Sequence, residues 1–303
     1  MSDTLVSLQR KIDGAGDLES VVRSMKALAA ASIGQYEKSV AALADYYRTV
    51  ELGLAVCLRR PMTGAADPAG RTSTTAKTIR AVVFGSDQGL VGQFNDVLAD
   101  FVCKALAALP GDKSVWAVGE RVHARLAEAG FPPAGLFAVP TSVAAITPLV
   151  GQILVASELP HDGDETGQLY LFHNRPRSGS VYEPVGLRML PLDEQWRLRL
   201  THRPWPSGNL PEVIGSGEPT LRALVREYLF VSLYKACAES LASENASRLA
   251  AMQRAEKNID ELVLDLTRRF RRLRQTSIDE ELFDVLSGYE SSSKKQAREG
   301  AES

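Results

Sequence analysis

The sequence predicts an α/β protein in which long N- and C-terminal helices, paired as an antiparallel coiled coil, flank a mostly parallel sheet covered by helices. Three observations carry this reading. Thr220 to Gly288 contains no proline, and no glycine before Gly288 itself, in a chain with 23 glycines and 15 prolines. Thr4 to Arg60 also lacks proline, and Pro61 ends that run. Between them, short apolar runs alternate with helical stretches, the pattern of strands joined by helices. Proline removes a donor and clashes, and glycine costs backbone entropy, so the two gaps mark long helices.

The first helix spends apolar residues mostly at steps of three or four: Ile12, Leu18, Val21, Met25, Leu28, Ile33, Tyr36, Val40, Leu43, Tyr47, Val50 and Leu54. Gly14 and Gly16 interrupt the signal, and a bend or fraying is expected there. Ala27 to Ser32 is nearly all small residues. That run suits either close packing in a two-helix coil or a smooth face that moves past a neighbour. Residues 61–76 form a loop rich in proline, glycine and small polar residues.

The period then changes. Ile79 to Phe84 is a buried strand that stops at Gly85, and Val97 to Leu109 is a helix. Strands follow at Val115–Val118, Leu136–Val139 and Gln168–His173, with helices at Glu120–Ala129 and Val143–Leu159. Val185 to Leu190 is expected as a further strand, and Trp196 to Leu200 as an edge strand. Thr201 to Pro219 is a proline-rich loop. In the last helix Ala255, Ile259, Leu262, Leu266, Phe270 and Leu273 hold one side. At 1.5 Å per residue that helix reaches roughly 100 Å, so it needs a second long helix or a partner protein. The sequence thus divides into a shaft (residues 1–60 and 215–288), an α/β domain (residues 77–200) and a polar, disordered tail (residues 289–303).

Composition excludes several classes. A net charge of −2 argues against a nucleic-acid binder. Cys57, Cys103 and Cys237 have no paired spacing, which fits a reducing compartment and neither a disulfide framework nor a zinc site. No signal peptide or membrane span is visible, so the chain is expected to be cytosolic or peripheral on a membrane complex.

The search for chemistry turns on Gly85 to Gly92 (GSDQGLVG), which follows a strand and precedes a helix, the position of a phosphate-binding loop. It lacks both the G-x-G-x-x-G spacing and the G-K-[ST] ending. His123, His161, His173 and His202 have no metal-ligand spacing, and Asp162, Asp164 and Glu165 read as a solvated acidic loop. No catalytic site, cofactor or metal is expected. Arg268, Arg269, Arg271, Arg272 and Arg274 crowd about two turns of the last helix. They form either a solvated face with local ion pairs or a set of donors for acidic loops of a partner.

Four segments resemble the gamma subunit of F-type ATP synthases, and together they span nearly the whole chain. Met25 to Ala31 (MKALAAA) is similar to A-M-K-M-V-A-A, and Ser86 to Asn95 (SDQGLVGQFN) to S-D-R-G-L-C-G-G-F-N. Ser240 to Met252 (SLASENASRLAAM) is similar to S-x-A-S-E-x-A-A-R-M-x-A-M. Arg274 to Ile278, continuing through Glu281, Asp284, Ser287 and Gly288, resembles R-Q-x-x-I-T-x-E-L-x-E-I-V-S-G-A.

The resemblance implies a coiled-coil shaft and a Rossmann-like domain without a nucleotide. It also implies a rotor inside a ring of three alpha and three beta subunits, touching the epsilon subunit and the membrane c-ring at its foot. Such a part couples proton or sodium flow to ATP synthesis or hydrolysis on the beta subunits, at the cytoplasmic face of the cell membrane. By the matched positions, Arg248, Arg274, Gln275, Glu281, Met25 and Lys26 are the expected partner contacts. Asp279, Tyr289 and Ala27 depart from the family pattern, as does the absence of basic residues around Ser32 to Gly34, and the chain reads as a divergent branch. Two rival classes stand beside this one: a coiled-coil scaffold that does not rotate, and a small-molecule-binding α/β protein with helical dimerisation arms.

Overall fold

The structure is a computed structural model. It describes residues 4–59, 78–157, 167–177, 180–192, 194–203, 205–207, 209, 211–213 and 217–299. The expected loop at 61–76 and the acidic residues at 162–165 lie outside them. Six α-helices are described: α1 (Leu5–Arg59), α2 (Phe94–Ala107), α3 (Glu120–Glu128), α4 (Ile146–Ser157), α5 (Glu194–Thr201) and α6 (Glu218–Glu299). The strands are β1 (Thr78–Phe84), β2 (Asp112–Val118), β3 (Gly135–Phe137), β4 (Gln168–Arg177) and β5 (Ser180–Leu190). The chain divides into two compact units, Met1–Ala27 with Met252–Ser303, and Leu28–Ala251.

The first unit pairs the start of α1 with the far part of α6. Leu8 and Ala15 on α1, and Met252 and Leu266 on α6, are buried. Val263, Phe270 and Leu273 are half-buried on the same side of α6. Lys26 Nζ meets Glu256 Oε2 at 2.5 Å, joining the end of one segment to the start of the other, as antiparallel helices require. α1 is unbroken through Gly14 and Gly16, contrary to the expected fraying, and a methyl group at either would meet nothing within 4 Å. Most of the expected seam lies inwards, with Ile12, Met25, Ala255, Ile259, Leu266, Phe270 and Leu273 buried or half-buried, but some positions depart from it. Leu18 and Val21 are 58% and 56% exposed, and Leu262 is 48% exposed. Glu19, Val22 and Val263 turn inwards instead. From Ile278 to Ser287 every residue is exposed, including Ile278, Leu282, Phe283, Val285 and Leu286. The helical backbone continues past Gly288 to Glu299, beyond the expected end.

The second unit holds a five-stranded sheet in the order β3-β2-β1-β4-β5. β1 to β4 are parallel and β5 is antiparallel to β4. Alternation along each strand separates two cores. Ile79, Ala81 and Val83 of β1, Val115 and Ala117 of β2, and Phe172 of β4 pack with Leu98, Val102 and Leu106 of α2 and with Val122 and Leu126 of α3. Val82 and Phe84 of β1, with Leu169 and Leu171 of β4, pack with Ile146, Val150 and Ile153 of α4 and with Tyr228, Leu233, Cys237 and Leu241 of α6. Val50 and Leu54 of α1 join that second core. Here α1 and α6 pair through Tyr47 and Tyr228, 5.9 Å between ring centroids, and through the Tyr46 hydroxyl donating to Glu227 at 2.8 Å.

Trp196 to Leu200, expected as an edge strand, lies in helix α5. Its sequence alternates as a strand would, but Trp196 and Leu200 also stand one helical turn apart, and both pack into the second core. Cys57 and Cys237 are buried free thiols, and burial pushes the Cys237 thiol far above its ordinary range.

Candidate functional site

In a doubly wound sheet a ligand binds beyond the carboxyl ends of the strands, where the strand order reverses. Here the reversal lies between β1 and β4, because the chain leaves β1 towards β2 and returns on the other side at β4. Helix α6 fills that place. Ser240, Ser243 and Ser247 recur at steps of three and four, one face of a helix. The Ser240 hydroxyl donates to the Phe84 carbonyl at the end of β1, at 3.1 Å. The Ser243 hydroxyl donates to the Asn174 carbonyl of β4, at 3.1 Å. The Ser247 hydroxyl donates to the Val91 carbonyl, in the loop after β1, at 2.6 Å. All three serines are buried.

The loop after β1 uses its polar groups on itself. The Ser86 amide donates to Asn95 Oδ1 at 3.0 Å, and Asn95 Nδ2 returns a bond to the Ser86 hydroxyl at 2.8 Å. The Asp87 carboxylate accepts from the Glu120 amide at 3.0 Å and from the Val139 amide at 2.9 Å, so it ties the start of α3 to the chain after β3. Gly119 has φ 115°, and a side chain there would come within 2.7 Å of the Ser86 carbonyl oxygen. Asn174 Nδ2 donates to the Phe94 carbonyl at 3.0 Å and closes the ring of contacts at the start of α2.

On the same turn of α6 as Ser243 and Ser247 is an ion pair, Arg248 Nη2 to Glu244 Oε1 at 2.6 Å, with side chains 13% and 7% exposed. Arg248 Nη1 also donates to Asn245 Oδ1 at 3.2 Å. Burial raises the Glu244 carboxyl above the ordinary carboxylate range, against the pull of Arg248, and nearby Asp87 adds to the rise. Burial likewise raises the Tyr36 hydroxyl on α1, with Cys237 and Glu244 adding to it and Arg248 opposing. The assembly is mechanical in its chemistry. Hydroxyls and an ion pair fasten a long helix across strand ends, and each donor named is already committed to a protein acceptor.

A family model described as ATP synthase matches residues 4–291. The chain belongs to the ATP synthase gamma family. It is 26% identical to the ATP synthase gamma chain of Syntrophus aciditrophicus, covering 96% of this chain and 99% of that one. It is 27% identical to the gamma chain of Geotalea daltonii, covering 95% and 98%. Its fold is shared with a chain in the Euglena gracilis mitochondrial ATP synthase OSCP/F1/c-ring structure, at TM-score 0.60 and 15% identity, covering 95% and 94%. A chain in the Tetrahymena thermophila central stalk/c-ring structure matches at TM-score 0.54 and 19% identity, covering 78% and 99%. As a gamma-family member the chain is the central-stalk rotor of an F-type ATP synthase and a non-catalytic part of that complex. Among the described residues, no helix is long and apolar enough to cross a membrane.

The residues expected to meet partners fall into two groups. Arg274, Gln275 and Glu281 are exposed on α6 of the first unit, where Gln275 Nε2 reaches Asp279 Oδ1 at 3.3 Å. Met25 and Lys26 are half-buried, and Lys26 is engaged by Glu256. Arg248, in the second unit, is engaged by Glu244. Within the arginine cluster, Arg269 pairs with Asp265 at 2.8 Å, and Arg268, Arg271, Arg272 and Arg274 are exposed. The sequence reading assigned no role to Ser240, Ser243 and Ser247. Their three-and-four spacing was the available signal.

Proposed function

We propose that the chain turns inside a ring of three alpha and three beta subunits and couples proton or sodium flow through a membrane c-ring to ATP synthesis or hydrolysis. Chemistry takes place on the beta subunits. The α/β domain meets the epsilon subunit and the c-ring, and the complex sits at the cytoplasmic face of the cell membrane. Arg274, Gln275 and Glu281 meet loops of the beta subunits, and Met25, Lys26 and Arg248 join the same partner surface from positions already tied within the chain. The shaft spans residues 1–60 and 215–288, and residues 77–200 form the foot.

One observation supports this reading most directly. From Ile278 to Ser287, α6 presents large apolar and charged side chains all round without a covering neighbour. Such a helix is suited to a surrounding sleeve of other subunits. A rotor biases each partner by making different contacts with it in its two states, and a lopsided rod supplies such differences. The test is reconstitution with alpha and beta subunits. ATPase activity that requires this chain, and a disulfide formed between Gln275→Cys and a cysteine placed on a beta-subunit loop, are the expected results. Equal activity with and without the chain would remove the rotor reading and leave a passive scaffold.

A further inference from the structure

The second unit carries a cavity of about 480 Å³, bordering the serine-fastened helix crossing at His173 and Glu239, that no part of the rotor reading uses. Its apolar side is Met189, Leu192, Trp196 and Tyr228, with the Trp196 and Tyr228 rings 4.9 Å apart and Tyr47 beyond. Its charged side is Arg175 on β4, Arg188 on β5, Arg199 on α5 and Lys235 on α6, all four exposed. The one carboxylate among the described lining residues, Glu239, is held from both sides. Its Oε2 lies 2.8 Å from His173 Nε2, and its Oε1 lies 3.9 Å from Lys235 Nζ. Arg175 leans outwards to Glu183 at 2.6 Å. Arg175 and Lys235 are thus already paired, and Arg188 and Arg199 add guanidinium groups from β5 and α5 at a space walled by aromatic rings.

We propose that this cavity binds a small organic anion built from a planar aromatic ring and a phosphate or carboxylate group, with a nucleoside monophosphate as the model. The ring lies against Trp196 and Tyr228, and the anion meets Arg188 and Arg199. The volume falls within the range of small-molecule sites, and the division into apolar wall and convergent polar groups is the usual one. Guanidinium groups pair with phosphate and carboxylate oxygens bidentately, which gives the anion a defined orientation. A ligand here would bridge α5, β5 and α6, so it would stabilise the packing of α5 against the long helix. This site is separate from the loop at Gly85 to Gly92, where all named polar groups serve the fold.

The test is calorimetric titration of the isolated full-length chain with adenosine 5′-monophosphate, with adenosine and inorganic phosphate as the two halves. Binding tighter than about 1 mM for the whole molecule, and much weaker binding for each half, is expected. Arg199→Glu, at an exposed position, should weaken binding at least tenfold while leaving the thermal midpoint of the free chain unchanged. Trp196→Leu supplies the second variant, and it also assigns the fluorescence readout: quenching of tryptophan emission by the ligand should be seen in the parent and lost in Trp196→Leu, which keeps Trp116 and Trp205. Three results would overturn the site: no binding at 1 mM, binding indifferent to Arg199→Glu, or binding abolished by Arg121→Ala beside the Gly85 loop.

Discussion

The buried Ser243 hydroxyl donates to the Asn174 main-chain carbonyl at 3.1 Å, and so joins the first third of an 82-residue helix to a central strand. Replacing that serine by alanine leaves a buried carbonyl short of one donor. The expected loss is about 1–2 kcal/mol for Ser243→Ala, and about 3 kcal/mol for the triple variant that also changes Ser240 and Ser247. Denaturant unfolding of the isolated chain measures both, and a triple variant as stable as the parent would refute the fastening role.

Two kinds of glycine should answer oppositely to alanine. At Gly85 a methyl group would lie 2.4 Å from Val122 Cβ and Cγ1 and 2.9 Å from Asn95 Oδ1, all inside the packed core. Gly85→Ala should cost about 2 kcal/mol or more. Gly14 and Gly16 stand in the interior of α1 with open space around them, so Gly14→Ala and Gly16→Ala should each stabilise by about 0.5–1 kcal/mol. Thermal unfolding of the three single variants settles the order.

Arg274→Ala and Gln275→Leu alter exposed side chains, so the chain's own stability should stay within about 0.5 kcal/mol. In the reconstituted complex each should lower ATPase turnover or ion pumping roughly fivefold, the loss of about 1 kcal/mol of differential contact. Unchanged turnover and pumping in both variants would remove these residues from the partner surface.

Acid dependence follows from Glu244. Its carboxyl is raised chiefly by burial, so the folded chain holds this proton more tightly than the unfolded chain does. The resulting stability is fully present below the ordinary carboxylate range and is lost as pH rises through the raised value. Relative to Glu244→Gln, the parent should therefore lose stability as pH rises from about 4.5 upwards. Parallel pH–stability curves for the two proteins would contradict this.

Much of the architecture could be read from proline and glycine placement and from changes of period. Both long helices, the four parallel strands and the later part of β5 fall where those signals put them, while the antiparallel direction of β5 and its start at Ser180 were not among them. The failures have physical causes. Trp196 to Leu200 alternates apolar and polar residues as a strand does, and only contact with Tyr228 makes its helical spacing the useful one. Leu18, Val21 and Leu262 are apolar yet lie outside the seam, because register is fixed by the whole run and not by the most hydrophobic side chain at each turn. The serine crossing was hidden because its acceptors are carbonyls, which no residue letter displays.

That last property bears on how such a joint can change over time. Phe84, Asn174 and Val91 offer main-chain oxygens, so replacing their side chains leaves each acceptor in place, although Asn174 would forfeit its own link to Phe94. The helix side has no such freedom, since each hydroxyl is the bond. Relatives can accordingly drift far apart in their sheet residues while keeping the same joint, provided the hydroxyls at Ser240 and Ser243 stay put; the family pattern has alanine where this chain has Ser247, so the third bond is an addition of this chain.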